Sequence, residues 1–146
     1  AYYPDGAPKL LEEYKDGLRH GRYVTYFDNG SREYEIDYRE GLRHGPDRAY
    51  HRNGQLKLEG GYVNGEPSGE SRRYGPDGAL NAESAKKGDL IHIRYYDEST
   101  GNLSAEETRK EGRRHGIQRK YRQDGSLEAE RLFKDGELVE TRPVQD

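Results

Sequence analysis

The chain has 146 residues, 29% apolar and 36% charged, a balance that excludes a thick conventional core. Its net charge, 25 − 28 = −3, supplies no global field for nucleic acid or an anionic membrane. It contains no Cys, which removes disulfides, thiolate metal sites and cysteine nucleophiles, and no apolar run approaches the ~20 residues of a membrane-spanning helix.

Such polarity would also suit a disordered chain. Yet 13 Tyr and 19 Gly recur at regular intervals, and that periodicity decides for a folded repeat protein. Tyr2, Tyr26, Tyr50 and Tyr74 follow one another every 24 residues, and Gly6, Gly30, Gly54 and Gly78 stand four positions after them. Tyr96 and Gly101 run one residue out of step, and the pair returns at Tyr121 and Gly125. Six units thus begin near residues 2, 26, 50, 74, 96 and 121. Twelve residues into four of these units comes a second aromatic, Tyr14, Tyr38, Tyr62 or Phe133, with Gly17, Gly41, Gly65 or Gly136 three places on. Leu18-Arg19-His20-Gly21 recurs unchanged as Leu42-Arg43-His44-Gly45, and Arg113-Arg114-His115-Gly116 is a close copy. The fourth unit is degenerate around Lys86 and Lys87.

Two glycine-bearing turns per unit leave runs too short for helices but suited to strands. Pro4-Asp5-Gly6 and Pro76-Asp77-Gly78 put Pro where its fixed φ suits a type I turn, followed by Gly at the left-handed position of a G1 bulge. The same three-residue loop is expected at Asp28-Asn29-Gly30, Arg52-Asn53-Gly54 and Gln123-Asp124-Gly125, with similar loops at Lys15-Asp16-Gly17 and Lys134-Asp135-Gly136. This loop length places Tyr26 opposite Arg32, Val24 opposite Tyr34, Tyr50 opposite Leu56, Tyr74 opposite Leu80 and Tyr121 opposite Leu127. Alternation then gathers Leu18, Val24, Tyr26, Tyr34, Ile36, Tyr38, Tyr50, Leu56, Leu58 and Tyr62 on one face. Thr25, Glu33, Glu35, Lys57, Glu59, Glu83, Lys120, Glu128 and Glu130 fall on the other. Lys120 and Glu128 form an expected cross-strand ion pair. The predicted fold is all-β and a single domain over residues 1–146. It is an elongated, twisted antiparallel meander of about twelve strands in six tandem hairpin repeats, with the charged tail after Glu137 shielding an open edge.

Tyr-x-x-(Asp/Asn)-Gly-x-Leu followed by Tyr-x-x-Gly-x-x-x-Gly, clearest from Tyr26 to Gly45 and from Tyr50 to Gly69, resembles the MORN-repeat variant of bacterial proteins. The resemblance covers nearly the whole chain and weakens between Lys86 and Gly101. It implies a β-hairpin repeat fold and a similarity to YwqK-type antitoxins and to the immunity proteins paired with secreted toxins, type VI effectors among them. The motif specifies scaffold positions, so no functional residue is carried over from it.

Among residues that could do chemistry, His20, His44 and His115 share a repeat slot. Equivalent positions in adjacent units lie two strands apart, roughly 9.6 Å, against metal bonds near ~2 Å. A structural role beside the turn is therefore expected of them; His51 and His92 have no evident partners. Glu35, Glu59, Glu83 and Glu130 also share a slot, which makes a solvated row in place of an acid–base pair. There is no phosphate-cradling glycine motif and no nucleophile elbow, so neither an enzymatic activity nor a cofactor is expected. Arg19, Arg43, Arg113 and Arg114 line one row of turns, but Asp16, Glu40, Glu111 and Asp135 offset them, and membrane contact is not favoured. A single-layer sheet has no second layer to cover its rings. Tyr26, Tyr34, Tyr38, Tyr50, Tyr62 and Tyr74, with Arg48 and Arg72 projecting among them, are the expected partner-binding surface. The expected function is that of a bacterial immunity or antitoxin protein that neutralises a cognate secreted toxin by stoichiometric docking. The alternative is a structural adaptor or peripheral membrane-associated scaffold. A chain without Cys that begins at Ala1 and has no Met reads as processed, so the cell envelope or periplasm is the expected address and the cytoplasm the alternative.

Overall fold

The computed structural model describes residues 1–144, which form strands and turns and, among the described residues, no helix. They divide into two compact units, one spanning Ala1–Gly78 and one beginning at Ala79. In the first, β1 (Leu10–Lys15), β2 (Leu18–Tyr26), β3 (Arg32–Arg39), β4 (Leu42–Tyr50), β5 (Leu56–Val63) and β7 (Glu70–Tyr74) pair in sequence order, and the two-residue β6 (Glu66–Pro67) also pairs with β5. In the second, β8 (Leu80–Lys87), β9 (Leu90–Tyr96), β10 (Leu103–Lys110), β12 (Gly116–Tyr121), β13 (Leu127–Lys134) and β14 (Glu137–Arg142) do the same, and β11 (Arg113–Arg114) pairs with β10. Each unit is an antiparallel meander of hairpins, as the repeat requires. The charged segment expected as a tail shielding an edge is, over Glu137–Arg142, the strand β14 itself, paired with β13.

Two kinds of turn alternate along the chain. The three-residue loops expected at Asp28-Asn29-Gly30 and Arg52-Asn53-Gly54 are present, with only the Gly at positive φ and Tyr26 opposite Arg32 and Tyr50 opposite Leu56. Tyr121 likewise faces Leu127. The loops expected at Lys15-Asp16-Gly17 and Lys134-Asp135-Gly136 are different. Lys15 faces Leu18 directly, and Asp16 and Gly17 have φ of 51° and 78°, which is a two-residue type I′ turn; Asp135-Gly136 repeats it. Asp tolerates the left-handed region through local hydrogen bonding, and the twist of a I′ turn matches that of the strands it joins. Every non-glycine residue at positive φ among those described (Asp16, Glu40, Asn64, Glu111 and Asp135) occupies this one slot.

The three-residue loops also carry a bulge that resets the faces. Beyond the Tyr26–Arg32 pair the register slips by one residue on β3, so that Thr25 faces Tyr34 and Val24 faces Glu35, not Tyr34. Since a one-residue slip exchanges faces, the expected division into a greasy and a charged side does not occur. One face of the first unit carries Tyr23, Tyr34, Ile36, Tyr38, Asp47, Leu58 and Tyr62; the other carries Val24, Tyr26, Glu35, Arg48, Tyr50, Leu56 and Glu59. Leu56 and Leu58 part company because Lys57 is bulged out between them. The bulged residues share a face with the strand they leave: Thr25 donates to Glu33, and Lys120 lies 3.0 Å from Glu128, the ion pair the sequence predicts.

Hydrophobic burial is sparse. Among the described residues the buried hydrophobic side chains are Val24, Ile36 and Phe133, and of these only Ile36 is fully enclosed. With so thin a core, hydrogen bonding between strands and side-chain rows across them carry much of the structure.

Candidate functional site

The ring-bearing face of the first unit is built by the hairpin slots. Tyr38 and Tyr62 stand at equivalent positions on β3 and β5, and each is joined by an arginine of the Leu-Arg-His-Gly segment. The Arg19 guanidinium lies 5.2 Å from the centroid of Tyr23 and 5.5 Å from that of Tyr38, while the two rings meet edge to face at 6.0 Å. Arg43 sits 5.2 Å over Tyr62 and donates to its hydroxyl at 3.2 Å. Hydrogen bonds to Tyr38 and Tyr62 hold the Arg43 guanidinium firmly in its charged form. Near the centre of this face, burial raises the Tyr34 phenol well above its ordinary range, and its hydrogen bond to Asp47 adds to the effect. The second unit repeats the stacking where Arg114 covers Phe133 at 5.4 Å.

Of the eight residues expected to bind a partner, Tyr34, Tyr38 and Tyr62 share this face. Tyr26, Arg48, Tyr50, Arg72 and Tyr74 are on the reverse, so Arg48 and Arg72 do not project among those three rings. Arg48 lies between Glu35 and Glu59, at 4.0 and 3.2 Å, and Arg22 reaches Glu35 at 3.4 Å. Arg72 faces Glu59 on the next strand. The second unit has the same row, with Glu83, Arg94, Glu106, Arg119, Glu130 and Arg142 in succession at 3.5, 3.9, 2.9, 2.8 and 3.1 Å. Tyr96 donates to Glu83 and Tyr121 to Glu106. The glutamate slot is therefore half of an alternating ladder. Its other half was visible in the sequence as an arginine two residues before Tyr50, Tyr74, Tyr96 and Tyr121.

This ladder makes stability depend on pH. Burial pushes the Glu106 carboxyl up, but hydrogen bonds from Arg119 and Tyr121 outweigh it, and the net shift is downward. Hydrogen bonds from Arg119 and Arg142 lower Glu130. A carboxyl depressed on folding contributes stability above its unfolded pKa, ordinarily about 4.3, and loses it as pH falls through the lower folded value. The urea midpoint should therefore hold steady from neutral pH to about 5 and decline below about 4.3, with a shallower decline in Arg119→Gln. An unchanged acid slope in that variant would remove the ladder from the account.

The histidines close the turns. The Glu40 amide donates to His20 Nδ1 at 3.5 Å, the Asn64 amide donates to His44 Nδ1 at 3.3 Å, and His115 Nδ1 lies 3.5 Å from the Asp135 carboxylate. Among the described residues, no group of three or more His, Cys, Asp or Glu is placed to hold a metal ion.

The family model of the MORN repeat variant matches residues 19–40, 43–64 and 114–135. Three of the hairpins are MORN-variant repeats. No curated protein matches the chain. Each matched MORN repeat starts on the arginine that stacks on a ring and ends inside a type I′ turn. Its second residue is the histidine and its last is Glu40, Asn64 or Asp135; in the first two a hydrogen bond to the histidine ties the ends of the repeat together, while in the third His115 Nδ1 stands near Asp135 without one. Backbone bonds reinforce the closure: the Gly41, Gly65 and Gly136 amides donate to the carbonyls of Arg19, Arg43 and Arg114 at 2.8–2.9 Å.

Proposed function

We propose that this MORN-repeat protein acts by docking onto another protein, and that the partner is a bacterial toxin which it neutralises stoichiometrically, with no catalysis of its own. The observation that carries the docking is the ring face of the first unit. Its half-exposed tyrosines are braced by Arg19 and Arg43, and no second layer covers them within that unit. Tyrosine and arginine held in fixed orientations are the residues that protein interfaces use as anchors, because little side-chain freedom is left to lose on binding. The toxin as partner rests on the resemblance of the repeat motif to immunity and antitoxin proteins. A chain without Cys is compatible with our preferred address, the bacterial envelope.

The test is co-expression with the toxin encoded beside the gene, followed by co-purification. We expect rescue of growth and a stoichiometric complex, with affinity reduced at least about tenfold in Tyr62→Ala. A toxin that stays lethal and forms no complex ends the toxin reading. Salt-sensitive binding to anionic liposomes in its place would favour a membrane-associated scaffold.

A further inference from the structure

Among the described residues two carboxylates are buried, and they are treated differently. Glu107, in the second unit, is 4% exposed and is met by Arg109 at 2.8 Å, Arg114 at 3.3 Å and the Tyr95 hydroxyl at 3.2 Å. Asp47, in the first, is 8% exposed, with Ile36 and Tyr34 as neighbours; its enclosed Oδ1 has no hydrogen-bond partner among the described residues. The nearby Arg43 is committed to Tyr62 and Tyr38. A buried carboxylate oxygen left without a donor is costly, and folded proteins rarely keep one without a use.

The strand next to Asp47 carries a glycine opposite it. Ile36 stands beside Asp47 on β3, but on β5 Asp47 faces Gly60, which puts no side chain across from it on that strand; Ser71 borders the space over Gly60 and Tyr62 stands diagonally across. A glycine inside a strand weakens pairing and marks a place where something approaches closely. For the neighbouring Gly61 the reason is internal, since an added Cβ would come within 3.2 Å of Ser68 Oγ and 3.3 Å of the Gly45 carbonyl. Gly60 has no such reason: an added Cβ would make only ordinary contacts at 3.5 and 3.6 Å, and its φ is not in the left-handed region.

We propose that the notch over Gly60 receives an arginine side chain of the docked protein, whose guanidinium pairs with Asp47 between the rings of Tyr34 and Tyr62. The second unit supplies guanidinium groups to Glu107 from its own chain; the first takes one from its partner. A guanidinium fits because it is planar, weakly hydrated and able to stack on a ring while donating to a carboxylate. This deepens the docking reading by naming the chemistry of the group that enters, and its test needs no toxin.

The experiment is an amide chemical-shift titration of the whole protein with N-acetyl-L-arginine amide, with the neutral isostere N-acetyl-L-citrulline amide as control. Saturable shifts at Ala49, Gly60 and Gly61 are expected with arginine and not with citrulline. In Asp47→Asn and in Gly60→Ala the affinity should fall at least about tenfold. The second variant keeps the carboxylate and fills the notch with a methyl group that the backbone tolerates, so it separates loss of binding from loss of fold. No saturable shift in the native protein, an equal response to citrulline, or wild-type affinity in either folded variant overturns the proposal. Arginine binding without any toxin complex would remove the toxin and leave the notch; toxin binding unaffected by Asp47→Asn would do the reverse.

Discussion

Replacing Ile36 with Ala is expected to lower the unfolding free energy by about 3 kcal/mol, measured as a drop in urea midpoint at unchanged slope. Ile36 is the one fully enclosed large side chain among the described residues, and it lies on the first unit's ring face, directly between Tyr23 and Asp47. The loss combines the transfer of the missing carbons with the cavity left behind. A thick core spreads such a cavity over many neighbours. Here the cover is a few rings whose positions are already fixed, Tyr23 against Tyr38 and both beneath Arg19, so inward collapse would break those contacts. Ile36→Val should cost only about 1 kcal/mol, since little volume is removed. A cost below about 1 kcal/mol for the alanine variant would mean that the rings close over the gap freely, and the ring face could not then be the rigid surface that docking requires.

The repeat was legible because turns and aromatic positions are local signals: a Gly four residues after Tyr26 or Tyr50 fixes where the chain reverses, whatever packs around it. The sheet faces were not legible, for a physical reason that can be located at single residues. Glu33, Lys57 and Glu128 are the extra residues of the bulges, and each exchanges the faces of everything beyond it. Read without that slip, Val24 joins Tyr34, and the arginines of the ladder, Arg48 and Arg72, land among the rings and away from Glu35 and Glu59. The type I′ turns were missed for a related reason. Asp16-Gly17 and Asp28-Asn29-Gly30 both end in Gly after a polar residue, and only the pairing of Lys15 with Leu18 separates two residues from three. Asp47 was hidden altogether, because it departs from its slot: the equivalent positions three residues before the leading tyrosine hold Tyr23, Ser71, Ile93 and Gln118. A departure from a repeat is the signal to look for when the repeat itself specifies only a scaffold.

The second large effect is expected at Glu107. Glu107→Ala should destabilise the protein by about 2 kcal/mol, because it removes the one carboxylate that gathers Arg109, Arg114 and the Tyr95 hydroxyl. Breaking a buried pair ordinarily costs more. The two arginines are 39% and 48% exposed, however, and part of their charge can return to water when the partner is lost. Arg114 also stacks on the buried Phe133, so its release exposes that ring and links the ion cluster to the sparse apolar core. Glu107→Gln keeps an acceptor for Tyr95 and one arginine, and should cost about half as much. The comparison is read by urea unfolding of the three proteins side by side. Equal losses for Ala and Gln would assign the effect to the carboxylate charge, and a negligible loss for Ala would show that both arginines hold their places without it. In that last case the contrast between a satisfied Glu107 and an unsatisfied Asp47 would lose its force, since a buried carboxylate would no longer be evidence that a guanidinium is needed beside it.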